Sequence, residues 1–337
     1  MLLSSCNHTN NEYPIVNSGY DANCPNMTFL VDTSLSVKVD ESFSLLGCGF
    51  DCKVSPIKGN FNVKKTVIDV SQLVKGNGYD YMRKLIVKFP LSEVNKSILY
   101  QSGYNISNVC QSIDQFREKL YLSTKAENYI NDIQLNIFTI IADNFDDIHF
   151  GDAYFLFEYY KPTSKLTLPE INPKYLCYFL TQDFIKDLYS KSPDEIIEIY
   201  GTHVLTDILL GGWISISSIV NFSSNTNIGA VKDMNLYYSH FLNSSFSDNG
   251  QRYFEGFDNI AFYIYATGGE CRNIQICNNQ ILGFQNWFHS ICDDNEQIIG
   301  IGNNTNQIFL LSDFIMDIEK KREIEEAIIR YCNKSIN

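Results

Sequence analysis

A short pattern near the middle of the chain joins an expected helix to an expected strand. It consists of Tyr200, Gly201, Thr202, His203 and Val204, then six further residues, then Gly211 and Gly212. Upstream, Ser192-Pro193-Asp194-Glu195 predicts a helix start, because Ser and Glu at this spacing form a capping box and Pro favours the first helical position. Downstream, the β-branched run Trp213 to Val220 predicts a central strand. Because glycine lacks a Cβ, the glycine pair is expected to let the sheet bend or a neighbouring segment pack closely; an ordinary helix-to-strand turn is the alternative.

His203 invites a catalytic interpretation, but no Cys, Ser or carboxylate stands near it in a nucleophile motif. We expect a partly buried histidine that is hydrogen-bonded across the helix end. The chain has no Walker loop, HExxH or GxSxG, and among its scattered carboxylates nothing singles out a glycosidase pair. Its ten cysteines form no zinc-like pair of CxxC units. We therefore expect a protein that is not an enzyme and that carries no metal or cofactor.

The central pattern resembles the signature of the membrane-attack-complex/perforin (MACPF) family, which is an aromatic residue, Gly, Thr or Ser, His, an aromatic residue, six residues and Gly-Gly. Every position fits except Val204, which keeps an apolar side chain where the family usually has Phe or Tyr. A second glycine pair, Gly268 and Gly269, and the segment Trp287-Phe288-His289-Ser290 lie where relatives carry a Gly pair and a Trp-x-x-Ser element. Residues 46–51 resemble the opening of bacterial members. The resemblance covers roughly residues 40 to 315.

The resemblance implies an α+β fold, in which a bent four-stranded antiparallel sheet is flanked by two helical clusters, as in MACPF proteins and cholesterol-dependent cytolysins. The clusters lie between strands one and two and between strands three and four. On a target membrane each cluster unfolds into an amphipathic hairpin, and many subunits join into a barrel. Two stretches of this chain, about 127–152 and 222–257, fall in those two positions.

Both stretches have a periodicity that fits a helix and a strand in part. Apolar side chains recur at every second position, as membrane strands of about 9–11 residues require. Lys232 and Asp233 run against this pattern, since one of the two would face lipid. Each stretch has room for two strands and a turn, the first only barely. The candidate membrane-inserting residues are Ile133, Leu135, Ile137 and Ile141 in the first stretch and Ile228, Ala230, Met234, Leu236, Tyr238 and Leu242 in the second.

The charge balance limits the class of partner. The net charge is −13, whereas binding to nucleic acid or to anionic lipid by charge alone needs a basic surface. No apolar run reaches the about 18 residues that a membrane-spanning helix needs. Membrane contact is therefore expected to come from amphipathic strands, apolar surface, a receptor or a lipid anchor.

The first residues resemble a bacterial lipobox. Leu3-Ser4-Ser5 precedes Cys6, the candidate lipidation site, and a polar, Asn-rich stretch follows. Only five residues stand before Cys6, fewer than a signal peptide needs, so either the start is trimmed or the match is chance. The expected organisation is a flexible lead over 1–25, a MACPF domain over 26–315 and a C-terminal helix over 316–337.

These observations predict an exported pore-forming protein, either secreted or a lipoprotein of the outer membrane or cell surface. Its expected partners are a target lipid membrane or a surface receptor and further copies of itself, in a ring or arc on the target cell membrane. A bacterial origin would suggest a cytolytic toxin or an antimicrobial weapon. The alternative is a non-lytic surface-binding or adhesion protein on the same fold, which the weak amphipathicity of both stretches favours. Leakage from vesicles distinguishes the two.

Overall fold

The computed structural model describes residues 15–17, 26–32, 45–51, 63–99, 103–110, 115, 129–130, 133–134, 153–222, 227–243, 257–277, 280–301 and 309–333. Its strands are β1 (Ile15–Asn17), β2 (Asn26–Asp32), β3 (Cys48–Phe50), β4 (Val63–Thr66), β5 (Asn77–Asp80), β6 (Leu85–Lys88), β7 (Asn95–Ile98), β8 (Tyr104–Cys110), β9 (Tyr129–Ile130), β10 (Ile133–Gln134), β11 (Ala153–Thr167), β12 (His203–Val204), β13 (Asp207–Phe222), β14 (Phe257–Thr267), β15 (Gln275–Cys277), β16 (Gln280–Leu282), β17 (Gln297–Ile301) and β18 (Phe309–Leu310). Its α-helices are α1 (Val70–Val74), α2 (Pro173–Leu176), α3 (Gln182–Ser190), α4 (Pro193–Tyr200), α5 (Asn227–Asn243), α6 (Phe284–Ser290) and α7 (Ile318–Asn333).

Four antiparallel strands form the centre of the molecule. The first consists of two pieces, β7 and β8, which both pair with β11. β11 pairs along its length with β13, and β13 pairs with β14. The predicted strand from Trp213 to Val220 is confirmed as the middle of β13. The predicted fold class, a mixed fold with a curled antiparallel sheet, is confirmed as well.

The hydrogen-bond register of the sheet breaks along one line. On β11 the pairing with β13 shifts between Pro162 and Ser164. On the side of β13 away from β11, the partner strand changes. Ile208–Gly211 pair with β17, and Trp213–Phe222 pair with β14. A register break in adjacent strands bends them together. The break on β13 coincides with the predicted glycine pair.

Two strands from the beginning of the chain extend the sheet beyond β14. β2 runs parallel to β14, from Asn26 opposite Asn259 to Asp32 opposite Tyr265. β1 pairs antiparallel with β2. Within the expected flexible lead over residues 1–25, Ile15–Asn17 are paired with β2. The rest of that stretch, with Cys6, lies outside the described residues, and the expectation stays a prediction there.

The larger core lies on one face of the sheet, against α3, α4 and α7. It combines Leu156 and Leu210 of the sheet with Phe184, Tyr200 and Ile328 of the helices. Helix α4 begins with the predicted capping box, in which Ser192 and Glu195 bond to each other's backbone N–H. Helix α7 lies within the expected C-terminal helix over 316–337, begins at Ile318 and packs into this same core.

The smaller core lies on the opposite face, since neighbouring residues on a strand point to opposite sides. Phe157, Ile216 and Phe262 of the sheet pack there against Met234 of α5 and Trp287 of α6. Helix α5 occupies the position between strands three and four where a helical cluster is implied by the resemblance. Among the described helices, none combines the length and apolar character needed to cross a bilayer.

The first of the two predicted stretches is described at four residues only. Tyr129–Ile130 and Ile133–Gln134 form a short antiparallel pair, β9 with β10. At these four positions the chain is strand where a helical cluster is expected. The predicted residues Leu135, Ile137 and Ile141 lie outside the described residues.

Candidate functional site

The residues of the central pattern tie the end of α4 to a small second sheet. After Gly201, the buried strand β12 (His203–Val204) pairs with β3 on one side and with β18 on the other. His203 is completely buried, its Nδ1 lies 2.8 Å from Thr202 Oγ1, and its ring lies 5.3 Å from that of Phe50. The histidine is thus fully rather than partly buried, and it bonds to its neighbour. Val204 is buried as well, as an apolar residue at this position requires.

Tyr200, the aromatic residue of the pattern, joins α4 to α3. Its hydroxyl donates to Asp187 Oδ2 at 2.9 Å, and its ring meets Phe184 edge-on. Lys65 of β4 pairs with Asp183 and Asp187 at 3.2 and 3.7 Å and lies over the tyrosine ring. Burial, with the Asp187 carboxylate second, raises the pKa of Tyr200 to about 12, so the phenol stays a hydrogen-bond donor at ordinary pH.

The two predicted glycine pairs meet at the bend of the sheet. A Cβ on Gly268 would lie 2.2 Å from Gly211 O and 2.8 Å from Gly212 Cα, and a Cβ on Gly211 would lie 2.1 Å from Lys161 O. Gly268 also has a φ of +72°, which glycine adopts at little cost. Since only backbone atoms can approach so closely, β11, β13 and the end of β14 are in direct contact here. The sequence pointed to each pair separately; the structure brings them together.

Helix α6 lies over the glycines. Trp287 Nε1 donates to Gly268 O at 2.8 Å, and a Cβ on Gly212 would lie 2.2 Å from Ile291 Cδ1. Ser290 Oγ accepts from Glu270 N and donates to Trp287 O, each at 2.7 Å. The Trp and Ser of the predicted Trp-x-x-Ser element therefore both bind the turn that follows β14.

Sequence reasoning missed Lys161, which fastens α6 to β11. Its Nζ donates to Phe288 O at 2.7 Å and to Ile291 O at 3.4 Å, and it lies 4.3 Å from the centre of the Phe288 ring. A cation there satisfies carbonyls that the last turn of a helix leaves unpaired. Burial lowers the pKa of Lys161 from its usual value. In the structure it lies opposite Gly212 in the β11–β13 register, and no local sequence pattern pointed to it.

Sequence reasoning also missed Glu296, which lies at the register break on β11. Its fully buried carboxylate accepts hydrogen bonds from Thr163 Oγ1 and Ser164 Oγ, and Lys96 Nζ lies 3.8 Å away. Two hydroxyls on successive residues thus bind one carboxylate, which holds the irregular part of the strand in place. We call Lys161, Glu296, Trp287 and the two glycine pairs the bend site.

Helix α5 is fastened to the sheet by one face. Met234, Tyr237, Tyr238 and Phe241 are buried at helical spacing. The hydroxyls of Tyr238 and Ser218 lie 2.6 Å apart, and Tyr237 Oη accepts from Ile281 N at 3.0 Å. Burial raises the pKa of both tyrosines. The helix is therefore packed against the sheet on one side and exposed on the other.

The predicted membrane-inserting residues divide between these two sides of α5. Met234 and Tyr238 are buried, Leu242 is half-buried, and Leu236 is 40% exposed. Ile228 and Ala230 lie in the first turn of the same helix. Strand parity had grouped all of these residues, whereas the helix groups Met234 and Tyr238 with Tyr237 and Phe241. Among the described residues, no group of three His, Cys, Asp or Glu side chains is placed to hold a metal ion.

Comparison with solved structures identifies the fold. GNIP1Aa from Chromobacterium piscinae superposes with a TM-score of 0.62 at 15% identity, over 86% of this chain and 55% of that one. A Bacteroides thetaiotaomicron protein that is named for cell invasion and carries a MAC/Perforin domain superposes with a TM-score of 0.59 at 16% identity, over 96% of this chain and 64% of that one. This chain thus spans less than two thirds of either protein. No protein-family model and no curated protein matches its sequence. The chain has a MACPF-like fold.

Proposed function

We propose that this protein is an exported pore former. Copies bind a target membrane, directly or through a surface receptor, oligomerise into a ring or arc, and each inserts two amphipathic hairpins, from residues 127–152 and 222–257. Lipid on Cys6 would hold the protein at a membrane surface before assembly. The observation that carries the proposal is α5, a one-sided helix placed between the third and fourth strands of a MACPF-like sheet. The proposal assigns no catalytic activity.

The sequence of α5 is compatible with both a helix on the sheet and a strand in the membrane. As a helix it buries Met234, Tyr238 and Phe241 on one face. As a strand, Met234, Leu236, Tyr238 and Leu242 would share one face, and polar Asn235 would lie on the other. His240 and Lys232 interrupt the apolar face. Such a segment can exchange its contacts with the sheet for contacts with lipid.

The exchange has a considerable cost. Undocking α5 exposes four large side chains, at about 1.5–3 kcal/mol each, or on the order of 10 kcal/mol in all. A single hairpin does not offset this, because its strand edges would stay unpaired in lipid. A barrel of many copies pairs every edge and surrounds the apolar face with hydrocarbon. Insertion is therefore expected to follow assembly.

Assembly edge to edge also requires access to the sheet. The described residues leave the outer edge of β8 without a strand partner, whereas the edge of β14 is covered by β2. A neighbouring copy can pair with β14 only after β2 has left. Displacement of β2 is accordingly part of the proposed mechanism.

Two neighbouring residues of α5 provide the test. Leu236 and Asn235 are both exposed on the helix, so arginine at either position should leave the soluble protein folded. In a membrane strand they would face opposite sides, and arginine facing lipid near the bilayer midplane costs about 2–4 kcal/mol. We expect Leu236→Arg to reduce dye release from vesicles of target lipids at least tenfold, and Asn235→Arg to retain it.

The outcome decides between the proposals. Equal dye release by the two variants, with wild-type release intact, would show that α5 does not enter the membrane as a strand. If wild-type protein binds the vesicles without releasing dye, the proposal of pore formation itself is contradicted.

A second candidate function is non-lytic surface binding or adhesion. The complete burial of Met234 and Tyr237 and the near-complete burial of Phe241 favour it, since they make α5 a costly element to release. An adhesion protein would bind its target with α5 in place. It would bind equally well as wild type, Leu236→Arg or Asn235→Arg, with no leakage in any case.

A further inference from the structure

A surface pocket lies away from the bend site and from α5. Its volume is about 400 Å³, which is within the range of small-molecule sites. The β5–β6 hairpin forms one wall, with Tyr79 and Lys88. Asp69 and Gln72, at the start of α1, and Tyr178 and Gln182, near the start of α3, form the others.

The wall behind the pocket is tightly packed. The Phe89 ring packs 4.8 Å from that of Tyr175, 5.4 Å from Tyr178 and 5.3 Å from Phe179. A Cβ on Gly78 would lie 2.5 Å from the Phe89 ring, so the hairpin backbone rests directly on this cluster. A pocket fixed in this way loses little conformational entropy when it binds a ligand.

The chemistry of the lining selects the class of ligand. Tyr79 and Tyr178 are half-buried aromatic residues. Gln72, Asn77 and Gln182 supply amides that can both donate and accept hydrogen bonds. Aromatic surface beside paired donors and acceptors suits a molecule with an apolar C–H face and several hydroxyl groups.

Other classes of ligand fit less well. The described residues of the lining carry one cation, Lys88, whose Nζ donates to Asn77 Oδ1 at 2.6 Å, and one carboxylate, Asp69, so they have no excess positive charge to attract an anion. Phosphate and acidic ligands are therefore disfavoured. The polar side chains disfavour a purely apolar ligand, since they would lose water without gaining partners. A metal ion is disfavoured because the described residues provide no cluster of three suitable ligands.

We propose that this pocket binds a neutral hexopyranose unit of a glycan. The sugar packs its C–H face on a tyrosine ring, and its hydroxyls bond to the amides and to Asp69. Such a site would bind a glycan receptor on the target surface. This part of the inference rests on the proposed function. Sugar binding itself does not depend on pores, so the two can fail separately.

The test uses the full chain and a panel of glucose, galactose, mannose and their N-acetylated forms, with glucuronic and sialic acids as the acidic arm. Binding is measured by saturation-transfer NMR and calorimetry. We expect at least one neutral sugar to bind and the acids not to bind. Gln182→Ala removes an exposed amide of the pocket and should weaken binding about fivefold to tenfold. Gln275→Ala, an exposed glutamine on β15 outside the pocket, is the matched control and should bind as wild type.

A second variant, Tyr178→Leu, removes one of the aromatic rings and should weaken binding at least tenfold while the thermal midpoint reports on folding. A surface coated with a neutral polysaccharide of the sugar that binds should capture the protein, which distinguishes a surface glycan from a free sugar as the source. No binding by any neutral sugar, binding of acids alone, or affinity unchanged in both pocket variants would overturn the proposal. Sugar binding without dye release would support this binding site and contradict only the proposed pore formation.

Discussion

Glu158 is a buried carboxyl group in the middle of β11, opposite Ser215 of β13. Its Oε1 accepts one hydrogen bond, from Tyr160 Oη at 3.3 Å, and the indole of Trp213 lies on the same side. Within the described part of the chain its Oε2 has no partner. Burial outweighs the stabilising effect of these neighbours and raises the pKa of Glu158 to about 7.

This residue makes stability depend on pH. The folded-state pKa of about 7 exceeds the reference value of 4.5, so between these values the folded protein holds a proton that the unfolded chain has lost. The stabilisation is complete below about pH 4.5 and is lost as the pH rises through 7. Since one pKa unit corresponds to about 1.4 kcal/mol, the free energy of unfolding should fall by about 3 kcal/mol relative to Glu158→Gln. Urea denaturation of both proteins at pH 4.5, 6 and 8 measures the difference, and parallel pH dependences would contradict it.

At the scale of elements, α5 is the part whose release the proposed function requires. Its last turn is fastened to α6, where Gln285 Nε2 donates to Leu242 O at 2.5 Å. We expect a bismaleimide bridge between Leu242→Cys and Gln285→Cys to abolish dye release and to leave vesicle binding intact. The exposed Cys292 is replaced by Ser in this background.

The two variants that carry one introduced cysteine each, treated with the same reagent in the same background, are the matched controls and should release dye as the parent does. Full release by the bridged protein would mean that α5 stays on the sheet while the pore forms. Reversal of the block with a cleavable bridge would exclude damage by the reagent.

Local sequence signals predicted most elements but not all of their limits. The β-branched run after Gly212 indicated the strand, but β13 begins earlier, at Asp207, because Ile208, Leu209 and Leu210 are also buried in the sheet. Helix α7 begins at Ile318, since Leu311–Phe314 form a 3₁₀ turn whose first N–H bonds to Thr202 O. In both cases tertiary contacts overrode the local pattern.

At the bend site, the limit of prediction from sequence is clearer. Glycine pairs are visible in a sequence because their conformational meaning is local. Lys161 and Glu296 make their contacts with residues more than 120 positions away, such as Phe288 and Ser164. A single sequence holds no signal for partners at that separation. The backbone features of the site were therefore predictable, and the polar groups that hold them were not.

At the scale of the whole molecule, the two sides of the sheet differ in how they end. The β14 side is covered by β2 and β1, which are brought from the beginning of the chain. Covered edges prevent strands of separate molecules from pairing. We expect deletion of residues 1–32 to bare this edge and to make the protein self-associate at concentrations about tenfold lower than wild type, as measured by analytical ultracentrifugation.

Deletion of residues 1–14 is the matched control, because it keeps β1 and β2 and should leave self-association unchanged. Equal behaviour of the two truncated proteins would show that β2 does not protect the edge.

The two ends of the long strand β11, at Ala153 and at Thr167, lie beside different parts of the proposed mechanism. Both segments that are proposed to enter the bilayer leave the sheet beside Ala153, where β8 ends and β14 begins. The proposed sugar pocket is lined by Lys88, and the chain runs from there to Asn95, which pairs with Thr167 at the other end of the same strand. Fifteen residues in a strand extend at most about 50 Å, and the bend between Pro162 and Ser164 makes the straight-line distance shorter. If the hairpins enter lipid as proposed, a carbohydrate held at that end would stand well away from the bilayer surface, which suits a long polymer rising from a cell surface better than the short headgroup of a glycolipid.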